Sequence, residues 1–161
     1  MSAGLQLSSA VIGSSFANDS ELSLPAYPRA IPELLLLPYG ATGLLIEGAR
    51  DTQLLNGRAA RSFVPRLLQE LDGRRSLQEL LNAFAPYPAQ AVFDALAMLY
   101  SRGLLEDAAD AAPAPASPLA SFCGRFVDVT RVNRHRGQAL QRLQAGQVAL
   151  LAPGAAHEPL H

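Results

Sequence analysis

Residues 34–57, LLLLPYGATGLLIEGARDTQLLNG, decide the fold class of this chain. The stretch holds three short apolar runs of strand length, Leu34–Leu37, Gly43–Ile46 and Thr52–Leu55, and turn residues bound each run. Because the connections between the runs are short, we expect three antiparallel strands in a meander. The third strand, Asp51–Leu55, is expected to lie at an edge of the sheet.

From Gly57 onward the apolar residues recur with the period of a helix. The first helix is expected to end at Asp72-Gly73, and Pro65 fits its first turn better than its interior, so the helix kinks or starts there. The second helix begins at Ser76 and Glu79, which form a capping box. The third helix is expected to run from about Pro88 to Arg102.

This order of elements predicts an α+β fold. We expect a winged-helix-like domain of three antiparallel strands followed by three helices, with a C-terminal helical and strand extension. The expected divisions are a flexible N-terminal segment or loose cover strand (1–30), the winged-helix-like domain (31–106), a Pro/Ala-rich linker (107–118) and the extension (119–161).

Composition excludes several classes of protein. The 161 residues carry a formal net charge of −1, which argues against a general binder of nucleic acid or of acidic membrane surfaces. The single cysteine, Cys123, excludes a disulfide within the chain and a zinc site built on several thiolates. Neither a membrane-spanning run nor a good signal peptide is present, so we expect a cytoplasmic protein.

The third helix has an apolar surface wider than one packing face requires. One stripe is expected to face the core: Val92, Ala95, Leu96 and Leu99. The neighbouring stripe contains Phe93, Ala97 and Tyr100. Those side chains either line a groove beside the edge strand, where an extended peptide could add to the sheet, or pack against another strand or the N-terminal tail.

The ordered set of segments resembles the PqqD-like family, whose members are RiPP recognition elements. The resemblance covers roughly residues 32–106 and is carried by Leu54-Leu55-Asn56, Leu71-Asp72-Gly73, Ser76–Leu80 and Leu99–Glu106. Members of that family bind the leader part of ribosomally made precursor peptides during post-translational modification. The leader adds as a strand to the third strand and lodges side chains against the third helix.

The resemblance implies a peptide-binding site at matching positions of this chain. The strand edge would come from Asp51, Thr52, Gln53, Leu54 and Leu55, and the groove from Phe93, Leu96, Ala97 and Tyr100.

The C-terminal part resembles the opening of a ThiF-like domain, through Ser121-Phe122-Cys123, residues 134–143 and Val148–Gly154. In azoline-forming peptide pathways such a domain follows the recognition element and partners a YcaO-type cyclodehydratase. Only Gly154 remains of the glycine fingerprint, so nucleotide binding is not supported and no cofactor is expected. The resemblance implies a truncated ThiF-like remnant or a fragment of a longer chain.

No catalytic or metal site emerges from the remaining residues. Cys123 and His135 could form a nucleophile pair, although a lone cysteine in an apolar stretch is usually a buried small hydrophobe. His157 and His161 are expected in a disordered terminus. One locally basic stretch is either a solvated amphipathic helix or a docking surface for an acidic partner: Arg125, Arg131, Arg134, Arg136 and Arg142.

Three functions remain open at this point. The first is a non-catalytic adaptor that binds a precursor peptide and delivers it to a modifying enzyme, with a homodimer possible. The second is a winged-helix DNA-binding transcriptional regulator, which the single Arg near the end of the third helix and the absence of Lys disfavour. The third is a catalytic ThiF-like enzyme, which requires a nucleotide site.

Overall fold

The computed structural model describes residues 8–109, 117–125 and 132–147. These ranges form a mixed α+β structure with two small antiparallel sheets. The elements in chain order are α1 (Ser9–Asn18), β1 (Pro28–Ala30), β2 (Leu35–Tyr39), β3 (Gly43–Glu47), β4 (Gln53–Leu55), α2 (Arg58–Ser62), α3 (Val64–Glu70), α4 (Leu77–Ala83), α5 (Ala89–Ser101), β5 (Leu105–Asp107), α6 (Pro118–Gly124) and α7 (Arg136–Ala145).

The three strands expected from residues 34–57 form one antiparallel sheet in the order β2-β3-β4. Tyr39 lies opposite Gly43, and Gly40 takes a positive φ of 58° in the connecting turn. On β3, Leu44 and Ile46 are buried in the core, whereas Leu45 points to the other face. The strand period thus sets one face of the sheet against the helices.

The helix expected after Gly57 is divided into α2 and α3. The break falls at Phe63, and Pro65 lies in the first turn of α3, where its missing N–H costs no intrahelical hydrogen bond. Beyond α3 the chain reverses at Gly73, whose φ is 80°. A Cβ at Gly73 would lie 2.5 Å from the Cβ of Ala108, so this position needs glycine for space as well as for conformation.

The second and third expected helices are α4 and α5. At α4 the capping box is confirmed: Ser76 Oγ accepts from the Glu79 N–H, and a Glu79 carboxylate oxygen accepts from the Ser76 N–H at 2.7 Å. Along α5, Val92, Leu96 and Leu99 are fully buried and form the centre of the main core.

Residues 9–18 form a helix, whereas a flexible segment or a loose cover strand is expected there from the sequence. Helix α1 packs against α5, where the rings of Phe16 and Tyr100 lie 6.2 Å apart. Gly13 contacts Asp94 so closely that a Cβ there would overlap the Asp94 carboxylate. The contact is made by a glycine in a helix that also contains several serines. The apolar period that marks most packed helices is therefore weak in α1.

A second sheet joins residues 28–30 to residues 105–107. Strand β1 pairs antiparallel with β5, and Pro28 lies opposite Asp107. Ordered structure therefore includes residues expected in the N-terminal segment, and Asp107 belongs to a strand rather than to the linker.

The C-terminal extension contributes α6 and α7, which share a small core of Ala120, Cys123 and Leu140. Part of the linker (110–116), the expected strand near Val148 and both His157 and His161 lie outside the described residues.

Candidate functional site

A groove of about 1030 Å³ lies between β4 and one side of α5, and residues of α2 and of the beginning of α3 also line it. The side chains of α5 that line it fall on one helical stripe: Ala91, Asp94, Ala95, Met98 and Arg102. The opposite wall includes Leu54 and Leu55 of β4, and Ser8 and Ser9 at the beginning of α1 also border the space.

Strand β4 is an open edge. Within the described residues it pairs only with β3, so its outward N–H and C=O groups face the groove side without a neighbouring strand. The other edge, β2, contains Pro38, which has no N–H to donate to an added strand. Of the two edges, β4 is therefore the better template for strand addition.

Aromatic rings close the end of the groove that lies near α3. Phe63 packs against Tyr87 with 4.7 Å between the ring centroids, and both residues line the groove. Phe84 meets Phe63 edge to face at 5.7 Å and supports it from behind. This end offers an apolar seat for a side chain.

The opposite end of the groove is polar and carries a cation. Arg102 caps the C-terminus of α5, and its Nη1 donates to Oε1 of Gln53 on β4 at 2.5 Å. The Nε atom of Arg102 is buried and is the one such side-chain nitrogen or oxygen in the described part of the chain that lacks a hydrogen-bond partner. Between the two ends, Asp94 accepts from Nε2 of Gln90 at 2.8 Å.

Some of the five residues expected to form the strand edge lie at the groove. Leu54 and Leu55 line it, and Gln53 borders it through Arg102. Asp51 and Thr52 precede β4 and are exposed, with Asp51 paired to Arg50 at 3.1 Å.

The four residues expected to form the groove on α5 lie elsewhere. Leu96 and Ala97 have no exposed surface, Tyr100 is 2% exposed and packs against Phe16 of α1, and Phe93 is half-buried against the main core. Packing against the N-terminal tail, the alternative left open by periodicity, accounts for Tyr100. The groove opens instead on the stripe of Ala91, Ala95 and Met98, about half a turn away around α5.

Sequence reasoning missed Asp94 and Arg102, although one signal pointed to them. They are the charged residues of an otherwise apolar helix and its cap, and they lie eight positions apart on the same side. Isolated charged residues in an otherwise apolar helix mark positions that need a polar partner, as the contacts of Asp94 with Gln90 and of Arg102 with Gln53 show.

Two arginines of the basic stretch near the C-terminus, Arg134 and Arg136, form ion pairs within the chain, whereas Arg125 and Arg142 are exposed. Arg136 is 6% exposed and forms a two-point ion pair with Glu33, at 2.8 and 3.1 Å, and its Nε lies 3.3 Å from Glu106. Arg134 pairs with Asp107 at 3.3 Å. The charges of Arg134 and Arg136 are thus neutralised within the chain, and Arg131 lies outside the described residues.

This network shifts the pKa of one carboxyl strongly. The hydrogen bonds from Arg136 lower the pKa of Glu33 to about 2; burial opposes the shift, and a 2.8 Å hydrogen bond from Ser121 adds to it. Glu106, with no exposed surface, also accepts from Arg29 at 2.9 Å and from the Arg136 N–H at 2.9 Å. The network joins α6 and α7 to the main body.

In the described ranges, Cys123 is a free, buried thiol, and no group of three or more His, Cys, Asp or Glu side chains is arranged to hold a metal ion. Nor does any helix there have the length and apolar character needed to cross a bilayer.

Comparisons with known proteins add little to this geometry. No family model and no curated protein matches the chain. One solved structure, described as "Heterocyclase in complex with substrate and Cofactor", aligns with a TM-score of 0.40 and 19% identity. The alignment covers 62% of this chain and 12% of the heterocyclase chain, so this chain corresponds to a small part of that protein's length.

Proposed function

We propose that this chain is a non-catalytic adaptor with a winged-helix-like recognition domain. It captures the leader of a ribosomal precursor peptide as an added strand on β4. It then presents the rest of the precursor to a modifying enzyme, of the YcaO cyclodehydratase type that forms azolines.

The observation that carries this proposal is the open edge of β4 beside the groove along α5. An extended peptide on this edge satisfies the outward backbone groups of β4, while alternate side chains enter the groove. The sequence resemblance to RiPP recognition elements supports the same pair of elements, the third strand and the third helix of the domain.

The expected affinity is moderate. Four or five added backbone hydrogen bonds contribute about 0.5–1.5 kcal/mol each. Two or three apolar anchors contribute about 1.5–3 kcal/mol each, and association and ordering cost several kcal/mol or more. The balance corresponds to a dissociation constant in the range of roughly micromolar.

The observations favour a peptide over DNA as the ligand. A DNA-binding winged helix would insert α5 into the major groove, but Val92, Leu96 and Leu99 are buried and α1 packs along the same helix. The cation at its end, Arg102, already contacts Gln53. DNA recognition needs an exposed helix face and several phosphate contacts.

Strand addition is tested by selecting binders from a displayed library of random dodecapeptides. A selected peptide is labelled with fluorescein, its affinity is measured by fluorescence polarisation, and each backbone nitrogen is then methylated in turn. Because a strand donates to one neighbour through alternate N–H groups, methylation should weaken binding at every second position of the bound segment.

A loss of affinity with a helical period, or no dependence on backbone methylation, would contradict strand addition. Failure of the library to yield any binder would contradict the peptide-binding function. A short DNA duplex library at low ionic strength serves as the comparison, and selective retention of duplexes would favour the regulator instead.

A further inference from the structure

Arg102 differs from Arg136, the buried arginine of the described residues. Arg136 faces two carboxylates, whereas Arg102 takes part in no ion pair there and contacts only the neutral amide of Gln53. Its Nε is buried with no acceptor. A buried donor of a charged group without a partner is unfavourable unless a ligand supplies the acceptor.

The geometry of the guanidinium indicates which acceptor fits. Gln53 occupies Nη1, which leaves the edge formed by Nε and Nη2. That edge donates two parallel hydrogen bonds to a carboxylate, the preferred planar partner of arginine. Arg102 and Leu54 both line the groove, and the contact with Gln53 puts Arg102 at the end of the groove where β4 begins.

We propose that Arg102 is a specificity-determining residue that binds an Asp or Glu side chain of the extended peptide held on β4. This inference rests on the proposed peptide-binding function and names the class of peptide that the groove selects.

The dimensions of the groove place the acidic residue relative to the apolar ones. From Ala91 to Arg102 the lining stripe of α5 spans about three turns, or about 16 Å. An extended peptide covers that length with about five residues, of which every second side chain enters the groove. The selected pattern is therefore one acidic residue at the Arg102 end, followed at spacings of two and four by apolar residues.

The charge along the groove limits the peptide to one acidic side chain at this point. Asp94, which accepts from Gln90, lies in the α5 wall between Ala91 and Arg102, where a second carboxylate on the peptide would be repelled. The far end is the apolar seat formed by Phe63 and Tyr87. Among the described residues that line the groove, Arg102 is the one cation, so its end of the groove complements a negative charge.

The test repeats the dodecapeptide selection with the wild-type chain and with Arg102→Met and Arg102→Glu. The wild-type pool should be enriched in Asp or Glu at two and four positions from apolar residues. Arg102→Met should lose the acidic enrichment and keep the apolar residues, and Arg102→Glu should select Lys or Arg in its place. Arg125→Met, at an exposed arginine on the C-cap of α6, is the matched control and should select as the wild type does.

A labelled peptide from the wild-type pool provides the quantitative measurement. Replacing its acidic residue by Asn or Gln should weaken binding to the wild-type chain about tenfold to hundredfold, and should weaken binding to Arg102→Met by less than about twofold. If Arg102→Met fails to fold, as judged by circular dichroism, the peptide substitution on the wild-type chain and Arg102→Lys decide the matter.

The two proposals fail in different ways. Peptides selected without an acidic preference, or an acidic preference that survives Arg102→Met, would overturn the role of Arg102 and leave peptide binding standing. A wild-type chain that selects no peptide at all would overturn both.

Discussion

Arg136 and Glu33 form a two-point ion pair between residues 103 positions apart, with Nη1–Oε1 and Nη2–Oε2 distances of 2.8 and 3.1 Å. The pair connects the beginning of α7 to the residues just before β2, and Ser121 of α6 donates to the same Glu33 carboxylate. A carboxylate thus holds two C-terminal helices against the body of the protein.

Replacing Glu33 by Gln should reduce the loss in the free energy of unfolding that the wild type shows as the pH is lowered. The pKa of Glu33 is about 2 in the folded chain and 4.5 without its partners, so its contribution is present above pH 4.5 and is lost as the pH falls from 4.5 towards 2. We expect a contribution on the order of 2 kcal/mol after allowance for solvent screening. Urea unfolding between pH 2 and 7 measures it.

The control is Glu21→Gln, which alters an exposed carboxylate with no ion pair among the described residues. Its profile should follow that of the wild type. Equal acid limbs for the wild type and Glu33→Gln would show that the pair is not what the acid disrupts.

Replacing Glu106 by Gln should destabilise the protein far more than an exposed charge does. Glu106 is fully buried and accepts from both Arg29 and Arg136, so the substitution removes the counter-ion of Arg29 and leaves Arg136 with Glu33 alone. Breaking such a buried pair costs about 3–5 kcal/mol. Glu70→Gln, in an ion pair with Arg75 whose side chains are 41% exposed, should cost less than about 1 kcal/mol. Comparable losses in chemical denaturation would argue against a buried network.

Replacing Gly13 by Ala should loosen the contact between α1 and α5. A Cβ at this position would overlap the carboxylate of Asp94, so α1 must shift away from α5 at a cost of about 1–3 kcal/mol. Hydrogen exchange should show faster exchange in α1. Val11→Ala, at a residue that is 53% exposed on the same helix, should leave exchange in α1 unchanged or slower.

Filling the groove from α5 should block peptide binding without unfolding the chain. Ala91 and Ala89 are both exposed alanines on this helix, but only Ala91 lines the groove. Ala91→Phe should therefore weaken the binding of a selected peptide at least about tenfold, which corresponds to the loss of one apolar anchor. Ala89→Phe should bind as the wild type does in fluorescence polarisation. Equal effects of the two substitutions would place the peptide elsewhere.

The stability of the protein should depend on pH through His135, the N-cap of α7. His135 Nδ1 accepts from the Gln138 N–H at 3.3 Å, which requires a neutral ring, and burial lowers the pKa of His135. Because the unfolded chain binds this proton more readily, stability should rise as the pH increases through about 6.5. His135→Asn keeps the cap and removes this dependence, whereas His135→Ala costs about 1 kcal/mol at neutral pH in thermal unfolding.

Particular residues show how far sequence reasoning reached. The turns around Gly40 and the capping box of Ser76 and Glu79 were predictable, because each depends on hydrogen bonds or backbone angles within a few residues. The position of the open stripe on α5 was not. Apolar residues occupy most of the circumference of α5, and the sequence pattern does not show which side of the helix another element covers.

The sequence by itself therefore determined the mixed α+β class, the three strands and the edge position of β4, because strand and helix periods and turn residues act locally. Tertiary structure alone decided that α1 covers the Tyr100 side of α5 and leaves Arg102 in the groove, and that Arg136 pairs with Glu33 rather than with solvent. Those outcomes depend on contacts between residues tens of positions apart, for which the local pattern carries no signal.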